Sequence, residues 1–310
     1  MDIVTDPRCL LHQVPLGFPE RPLRLERVLA GFAAAGRAVE EPGGHPAATA
    51  AIARVHGEAY VERFRAAVTR GDGLLDSADN PLVATTWDAA LGAVEASLHA
   101  ADRAAAGRAT FAAVRPPGHH AERHVAMGFC YFNNVAVAAE HLIAAHGLGR
   151  VAIFDFDVHH GNGTQHLFEE RADVLYVSTH QYPFYPGTGA ATERGRGAGQ
   201  GATVNVPLPA GCGDGDYETA IREQVLPALE AFEPEVLLLS AGLDAWQGDP
   251  LGGMRVSRAG FGQWGEWLGA LARRRCAGRV MALLEGGYDV EALGGLAEAF
   301  VAGVACGLHD

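Results

Sequence analysis

The sequence predicts an α/β fold: a mainly parallel central sheet with helices on both faces, as one domain over residues 1–310. Three observations predict it. Short Val/Leu/Ile runs alternate with helical patterns from about residue 109 onward, as strands buried on both faces do. Clusters of Asp, His, Glu and Tyr follow those runs, where ligands bind outside the carboxyl ends of parallel strands. No shift of composition and no internal repeat marks a boundary, and 310 residues suit one large α/β domain.

The elements follow in order. The first twenty residues mix Pro, His and Gly and read as a short strand and loop. Arg21–Pro22 opens a helix with Leu25, Val28, Leu29 and Phe32 on one face, ending near Gly36. Helical patterns recur over 46–56 and 57–69. Residues 71–86 gather Gly, Asp, Asn and Pro into a loop of the length usually kept for function. A long Ala-rich helix follows over 87–106. Strands are expected at 109–114, 151–154, 174–179, 203–206, 236–240 and 279–284, with helices at 134–146, 163–169, 216–232, 257–275 and 290–306.

Composition narrows the function. Nearly half the residues are apolar and a fifth are charged, as in an ordinary soluble protein. The net charge of −13 and the absence of a long basic patch argue against nucleic-acid binding and mildly favour cationic substrates. Every basic residue is Arg, which with the Ala/Gly richness suggests a GC-rich bacterial genome. Five scattered cysteines with no C-x-x-C pair make a disulfide framework or cysteine zinc cluster unexpected. No basic-then-apolar segment follows Asp2 and Asp6, and no apolar run approaches the roughly 20 residues of a membrane span. The expected compartment is reducing cytoplasm, with no nucleic-acid or membrane partner. Homo-oligomerisation stays open.

The chemistry concentrates in Asp155–Phe156–Asp157–Val158–His159, after the 151–154 strand. Alternation puts Asp155, Asp157 and His159 on one side and Phe156 and Val158 on the other. Two carboxylates and an imidazole buried together call for a positive charge, and oxygen with nitrogen donors suits zinc. Asp244, ending another strand, is the natural third ligand, since a catalytic zinc keeps three protein ligands and an open position. Asp155 sits too close to Asp157 to stay unpaired and reads as orienting an imidazole or holding a second cation. His119–His120, held after Pro116–Pro117–Gly118, supply a general base and an electrostatic neighbour. Tyr288, beside Gly286–Gly287, can project a phenol onto a carbonyl oxygen. Plainer readings stand beside these. Asp157 and His159 alone read as an ion pair, Asp244 as a helix cap, Tyr288 and the aromatic 128–134 stretch as packing.

Together the segments resemble the histone deacetylase family, within the arginase/deacetylase fold. The matching motifs are R-P-P-G-H-H-A at 115–121, G-F-C-Y-F-N-N at 128–134, D-F-D-V-H-H-G-N-G at 155–163, P-G-T-G at 186–189, G-L-D at 242–244, D-P-L-G at 249–252 and E-G-G-Y at 285–288. The resemblance implies Asp157, His159 and Asp244 as ligands of a catalytic Zn²⁺, His120 as general base and acid, His119 as its electrostatic partner and Tyr288 as the group polarising the carbonyl. It implies a structural K⁺ held by Asp155, Ser178 and the carbonyls of Asp157, His159 and Thr179, and a second K⁺ at the carbonyls of Phe168, Arg171 and Val174. Phe129 and Tyr185 resemble the aromatic walls of an acyl-lysine tunnel with Gly128 at its floor. Asn162 stands where class I members carry Asp, placing the chain near the class II-like bacterial branch and predicting a less basic His120. Leu243 reads as a tolerated packing change.

The implied activity is zinc-dependent hydrolysis of an Nε-acyl-lysine amide in a protein or peptide. An acetylated small amine such as an acetylpolyamine is the runner-up. Polyamine-preferring relatives tend to carry a carboxylate at the pocket mouth. The matching position here is Leu251, although Asp72, Asp76 or Asp79 of the 71–86 loop could supply one. A ureohydrolase would need a second metal and further ligands. A non-catalytic acyl-lysine binder sits poorly with an intact His120, Tyr288 and ligand set.

Overall fold

The computed structural model describes residues 1–309. Ten strands form in chain order: β1 (Asp2–Val4), β2 (Val39–Glu40), β3 (Leu74–Leu75), β4 (Ser77–Pro81), β5 (Thr110–Ala112), β6 (Val151–Asp155), β7 (Val174–Gln181), β8 (Thr203–Leu208), β9 (Val236–Ala241) and β10 (Val280–Leu284). Eight of them make one sheet in the order β2-β1-β5-β10-β9-β6-β7-β8, every adjacent pair parallel. β6, β9 and β10 are buried along their whole length, which is why they read as unbroken Val/Leu/Ile runs rather than alternating ones.

The helices are α1 (Pro22–Ala34), α2 (Ala48–Val55), α3 (Glu58–Arg70), α4 (Thr86–Ala105), α5 (Asn134–His146), α6 (Asn162–Phe168), α7 (Asp214–Ala220), α8 (Leu226–Phe232), α9 (Arg258–Arg275) and α10 (Leu293–His309). α4 and α5 pack against each other and against β5, β6, β9 and β10, whereas α1, α9 and α10 form a second group. Phe156, leaving β6, meets Trp264 of α9 and Phe300 of α10. A Cβ on Gly265 or Gly303 would collide with the backbone of the facing helix. Glycine there lets α9 and α10 approach more closely than side chains would permit.

Three differences from the sequence reading matter. The 71–86 loop contains the β3–β4 hairpin, turned at Asp76 with φ of 63°. Aspartate tolerates that left-handed conformation, and its carboxylate accepts the Ala126 N–H at 2.8 Å and pairs with Arg63. The 216–232 helix starts at Asp214 and is interrupted by a π-turn at Ile221–Val225. β6 runs on to Asp155 before the chain turns, yet the expected separation persists: Phe156 and Val158 enter the apolar core.

Register aligns the strand ends. Asp155 lies opposite both Ser178 and Ser240, and Ala241 opposite Leu284. The segments after β6, β9 and β10 therefore leave the sheet along one rim.

Candidate active site

Asp157, His159 and Asp244 meet just beyond that rim, each offering one donor atom within 4.8 Å of the others. Asp157 Oδ1 accepts from His159 N at 2.9 Å and faces His159 Nδ1 at 3.0 Å, while its Oδ2 accepts from Gly286 N at 2.8 Å. Asp244 Oδ1 accepts from Val158 N at 2.8 Å. Its Oδ2 lies 3.2 Å from the same His159 Nδ1 and is buried without a hydrogen-bond partner. Burial, followed by repulsion from Asp157, pushes the Asp244 carboxyl up to about 7. His159 is held up at about 10, because the two carboxylates outweigh its burial. One imidazole shared by two buried carboxylates leaves the set short of positive charge. Two oxygens and one nitrogen so arranged fit a zinc ion with an open position. The helix-cap reading of Asp244 fails, because turns rather than a helix follow it.

His119 and His120 come to this site on the segment after β5, their rings 4.0 Å apart. His119 Nδ1 lies 3.0 Å from Asp155 Oδ2, and Tyr176 Oη donates to the same oxygen at 3.2 Å. Burial opposes a charge on His119, but Asp155 and Asp157 overcome it and raise its pKa to about 10. His120 goes the other way. Burial, then the neighbouring His119 and His159, hold it well below the usual histidine value. Burial and the cationic neighbours cause this low basicity, whereas the Asn162 contact itself acts to raise the pKa. Asn162 has another effect. Its Nδ2 donates to Glu122 Oε1 at 2.5 Å, which aims Oδ1 at His120 Nδ1, 2.8 Å away. The proton thus sits on Nδ1, and the His120 Nε2 lone pair is free.

Tyr288 completes the floor. Burial pushes its phenol well above the ordinary value, so it remains a proton donor at neutral pH. A cavity of about 230 Å³ opens from His120, His159 and Tyr288 to the surface. Phe129, Phe184, Tyr185 and Leu251 wall it, and Asp79 stands among its lining residues. Phe129 packs edge-on to Tyr288, with ring centres 5.9 Å apart, and Tyr185 edge-on to His120 at 5.1 Å. Gly128 cannot carry a side chain: its φ is 54°, and a Cβ would run into the His120 ring. Of the three acidic candidates in the 71–86 segment, Asp72 pairs with Arg70 and Asp76 with Arg63; Asp79 alone lines this cavity. Asn80 donates to Cys130 O at 3.0 Å, fixing the hairpin to the wall.

The residues expected around K⁺ include several on β6, α6 and β7. Asp155 and Ser178 are direct neighbours across β6 and β7, and Ser178 Oγ contacts His180 Nδ1 at 2.9 Å. Thr179 is buried, its Oγ1 without a partner. Phe168 ends α6, Arg171 N donates to its carbonyl at 2.9 Å, and Val174 starts β7.

Four supporting residues carried no assigned role in the sequence reading. Glu285, raised to about 7 by burial, accepts the N–H groups of Gly118 at 2.6 Å and His119 at 3.2 Å, so β10 fixes the histidine turn. Asp249 accepts from Tyr288 N at 2.6 Å and Leu251 N at 2.9 Å. Arg24, fully buried, lies 4.7 Å over the Tyr288 ring and donates to the carbonyls of Glu285 and Gly287, both at 2.5 Å. Glu20 balances it and also takes both ends of Arg115 at 2.8 Å. The only sequence signal was the place of Glu285 in E-G-G-Y and of Asp249 in D-P-L-G; Glu20 and Arg24 flank the Arg21–Pro22 helix start and lie in none of the motifs. Which partner each would meet depends on tertiary contact.

Known proteins resemble this chain over most of its length. Residues 18–304 match the histone deacetylase domain family. Over 78% of its length the chain is 41% identical to the chloroplastic histone deacetylase 14 of Arabidopsis thaliana, covering 60% of that protein. It is 39% identical to a histone deacetylase-like amidohydrolase of Pseudomonas aeruginosa over 79% of its length, covering 65% of that protein. The chain thus spans less than two thirds of these two relatives. The structure of an acetylpolyamine aminohydrolase from Burkholderia pseudomallei superposes with a TM-score of 0.89 at 34% identity, covering 99% of both chains. The eight-stranded parallel sheet is the arginase/deacetylase fold, and the chain belongs to the histone deacetylase family.

Proposed function

We propose that this chain is a single deacetylase domain that hydrolyses the amide of an Nε-acyl-lysine, releasing acetate or another short acid. The observation that carries this reading is the buried Asp157–His159–Asp244 set at the base of an aromatic-walled cavity that His120 and Tyr288 also line. Asp157, His159 and Asp244 would hold Zn²⁺, which supplies Lewis-acid polarisation of the amide carbonyl and of a water molecule. His120 Nε2 takes a proton from the attacking water and returns it to the departing amine nitrogen. Tyr288 Oη donates a hydrogen bond to the carbonyl oxygen and holds the charge that grows there; loss of one such donor commonly costs about 10²–10³-fold in rate. His119, paired with Asp155, adds a fixed positive charge that keeps His120 neutral between turnovers. Phe129 and Tyr185 enclose the four-carbon stem of the substrate and keep bulk water from the reacting carbonyl. Asp155 and Ser178, with the carbonyls of Asp157, His159 and Thr179, would hold K⁺. The carbonyls of Phe168, Arg171 and Val174 would form the second such site.

A second reading, deacetylation of an acetylpolyamine, is favoured by Asp79 at the cavity. Its carboxylate could receive a remote ammonium, and one structural relative bears an acetylpolyamine aminohydrolase name. Leu251 on the same wall favours acyl-lysine. Comparing kcat/KM for an acetyl-lysine peptide and N-acetylspermidine on zinc-loaded protein decides between them. We expect preference for the peptide; a large preference for N-acetylspermidine would reverse the assignment.

A further inference from the structure

Four histidines and one aspartate gather away from the catalytic rim, where the segment before α2 meets α4 and α5. Three imidazoles converge on Asp102. His45 Nε2 lies 2.9 Å from its Oδ2, and His141 Nε2 and His146 Nε2 each lie 2.7 Å from its Oδ1. His99, one helical turn before Asp102 on α4, stacks edge-on against His45 with ring centres 4.7 Å apart. α5 begins at Asn134 beside the active site, where its side chain donates to Pro116 O. His141 and His146 lie about 10 and 18 Å farther along it, at 1.5 Å per residue.

We propose that this cluster is a second metal site, taking a divalent late first-row ion such as Zn²⁺ through His45, Asp102 and His141, with His146 as a fourth ligand. The donor atoms of the first three already lie within 4.8 Å of one another, as do those of the catalytic set. Three nitrogens and a carboxylate oxygen, with no thiolate, suit zinc, nickel or copper rather than magnesium or calcium. Bonds of about 2.0 Å in a tetrahedral site put ligand atoms about 3.3 Å apart, so each ring retreats by roughly half an ångström. Binding moves the proton of each neutral imidazole from Nε2 to Nδ1. His45 then gives up the 3.2 Å bond its Nδ1 accepts from Ala47 N. His45 and His141 are buried, whereas the Asp102 side chain is 40% exposed and that of His146 31%, leaving the ion a path in. The bound ion would clamp the start of α2 to the ends of α4 and α5, a structural role separate from hydrolysis.

The test is zinc stoichiometry on untagged, full-length protein by equilibrium dialysis and elemental analysis. Wild type should bind two equivalents. Asp244→Ala and the double variant His45→Ala/His141→Ala should bind one each, and the double variant should hydrolyse substrate like wild type. Added Zn²⁺ should raise the Tm of Asp244→Ala but lose most of that effect when His45 and His141 are also replaced. As the obvious double variant removes buried side chains, Asp102→Asn serves as a milder check with the same expectation. A wild-type protein that saturates at one equivalent, or a second equivalent that survives in both cluster variants, would overturn the assignment. Neither outcome touches the proposed hydrolysis, whose zinc lies at other residues.

Discussion

In the proposed mechanism the role of His120 turns on which ring nitrogen is free, and the Asn162 tether to Glu122 sets that. A carboxylate at 162 would pull on the same Nδ1–H and favour the imidazolium, whereas the amide does so only weakly. General-base function needs neutral His120, so activity falls where pH drops through its pKa. Burial and cationic neighbours place that pKa well below the usual histidine value. Asn162→Asp should therefore shift the acid limb of kcat/KM to higher pH, read from a pH–rate profile; an unmoved limb would show that Asn162 does not govern His120. His120→Ala should lower kcat by about 10²–10⁴-fold or more while bound zinc is retained. Loss of zinc instead would mean the ring is a ligand. Asp155, Asp157, His159, Asp244 and Tyr288 were legible as chemistry because unlike polar types crowd strand ends. Arg24, Asp249 and Glu285 were not, because a buried charge shows its purpose only beside its partner.

At the scale of elements, Val/Leu/Ile runs located the longer sheet strands, while boundaries shifted wherever side chains rather than propensity end an element. Asp76 is such a case: a left-handed turn residue tied to Arg63 and Ala126 makes a hairpin from a stretch that reads as loop. That hairpin brings Asp79 to the cavity, so the specificity question moved from a loop of three candidate acids to one. The α9–α10 contact was illegible for the opposite reason. Its glycines look like helix weakeners in sequence and are needed only because two backbones nearly touch. Gly303→Ala, at a position where a Cβ meets the backbone of Gly262, should destabilise the fold by about 1–3 kcal/mol in urea unfolding. An unchanged midpoint would mean the helices separate freely.

For the whole molecule, the sheet gathers groups from distant chain positions, and its register fixes their spacing before any ligand arrives. The buried carboxylates nevertheless lack a matching positive charge, so stability and metal occupancy should be linked. Removing metal with a chelator should lower the Tm and abolish turnover, and returning zinc should restore both. An unaltered Tm would argue that the site is neutralised by other means. No helix among the described residues is long and apolar enough to cross a membrane, which agrees with the sequence pattern. The measurement that bears most directly on the proposed function is acetate release from an acetyl-lysine peptide by zinc-reconstituted wild type and Asp244→Ala, with bound zinc quantified under blocked or subtracted binding at the His45–Asp102–His141 cluster. The account predicts zinc-dependent acetate release by wild type, with catalytic zinc and turnover lost together in the variant. Undiminished acetate release by Asp244→Ala would contradict it.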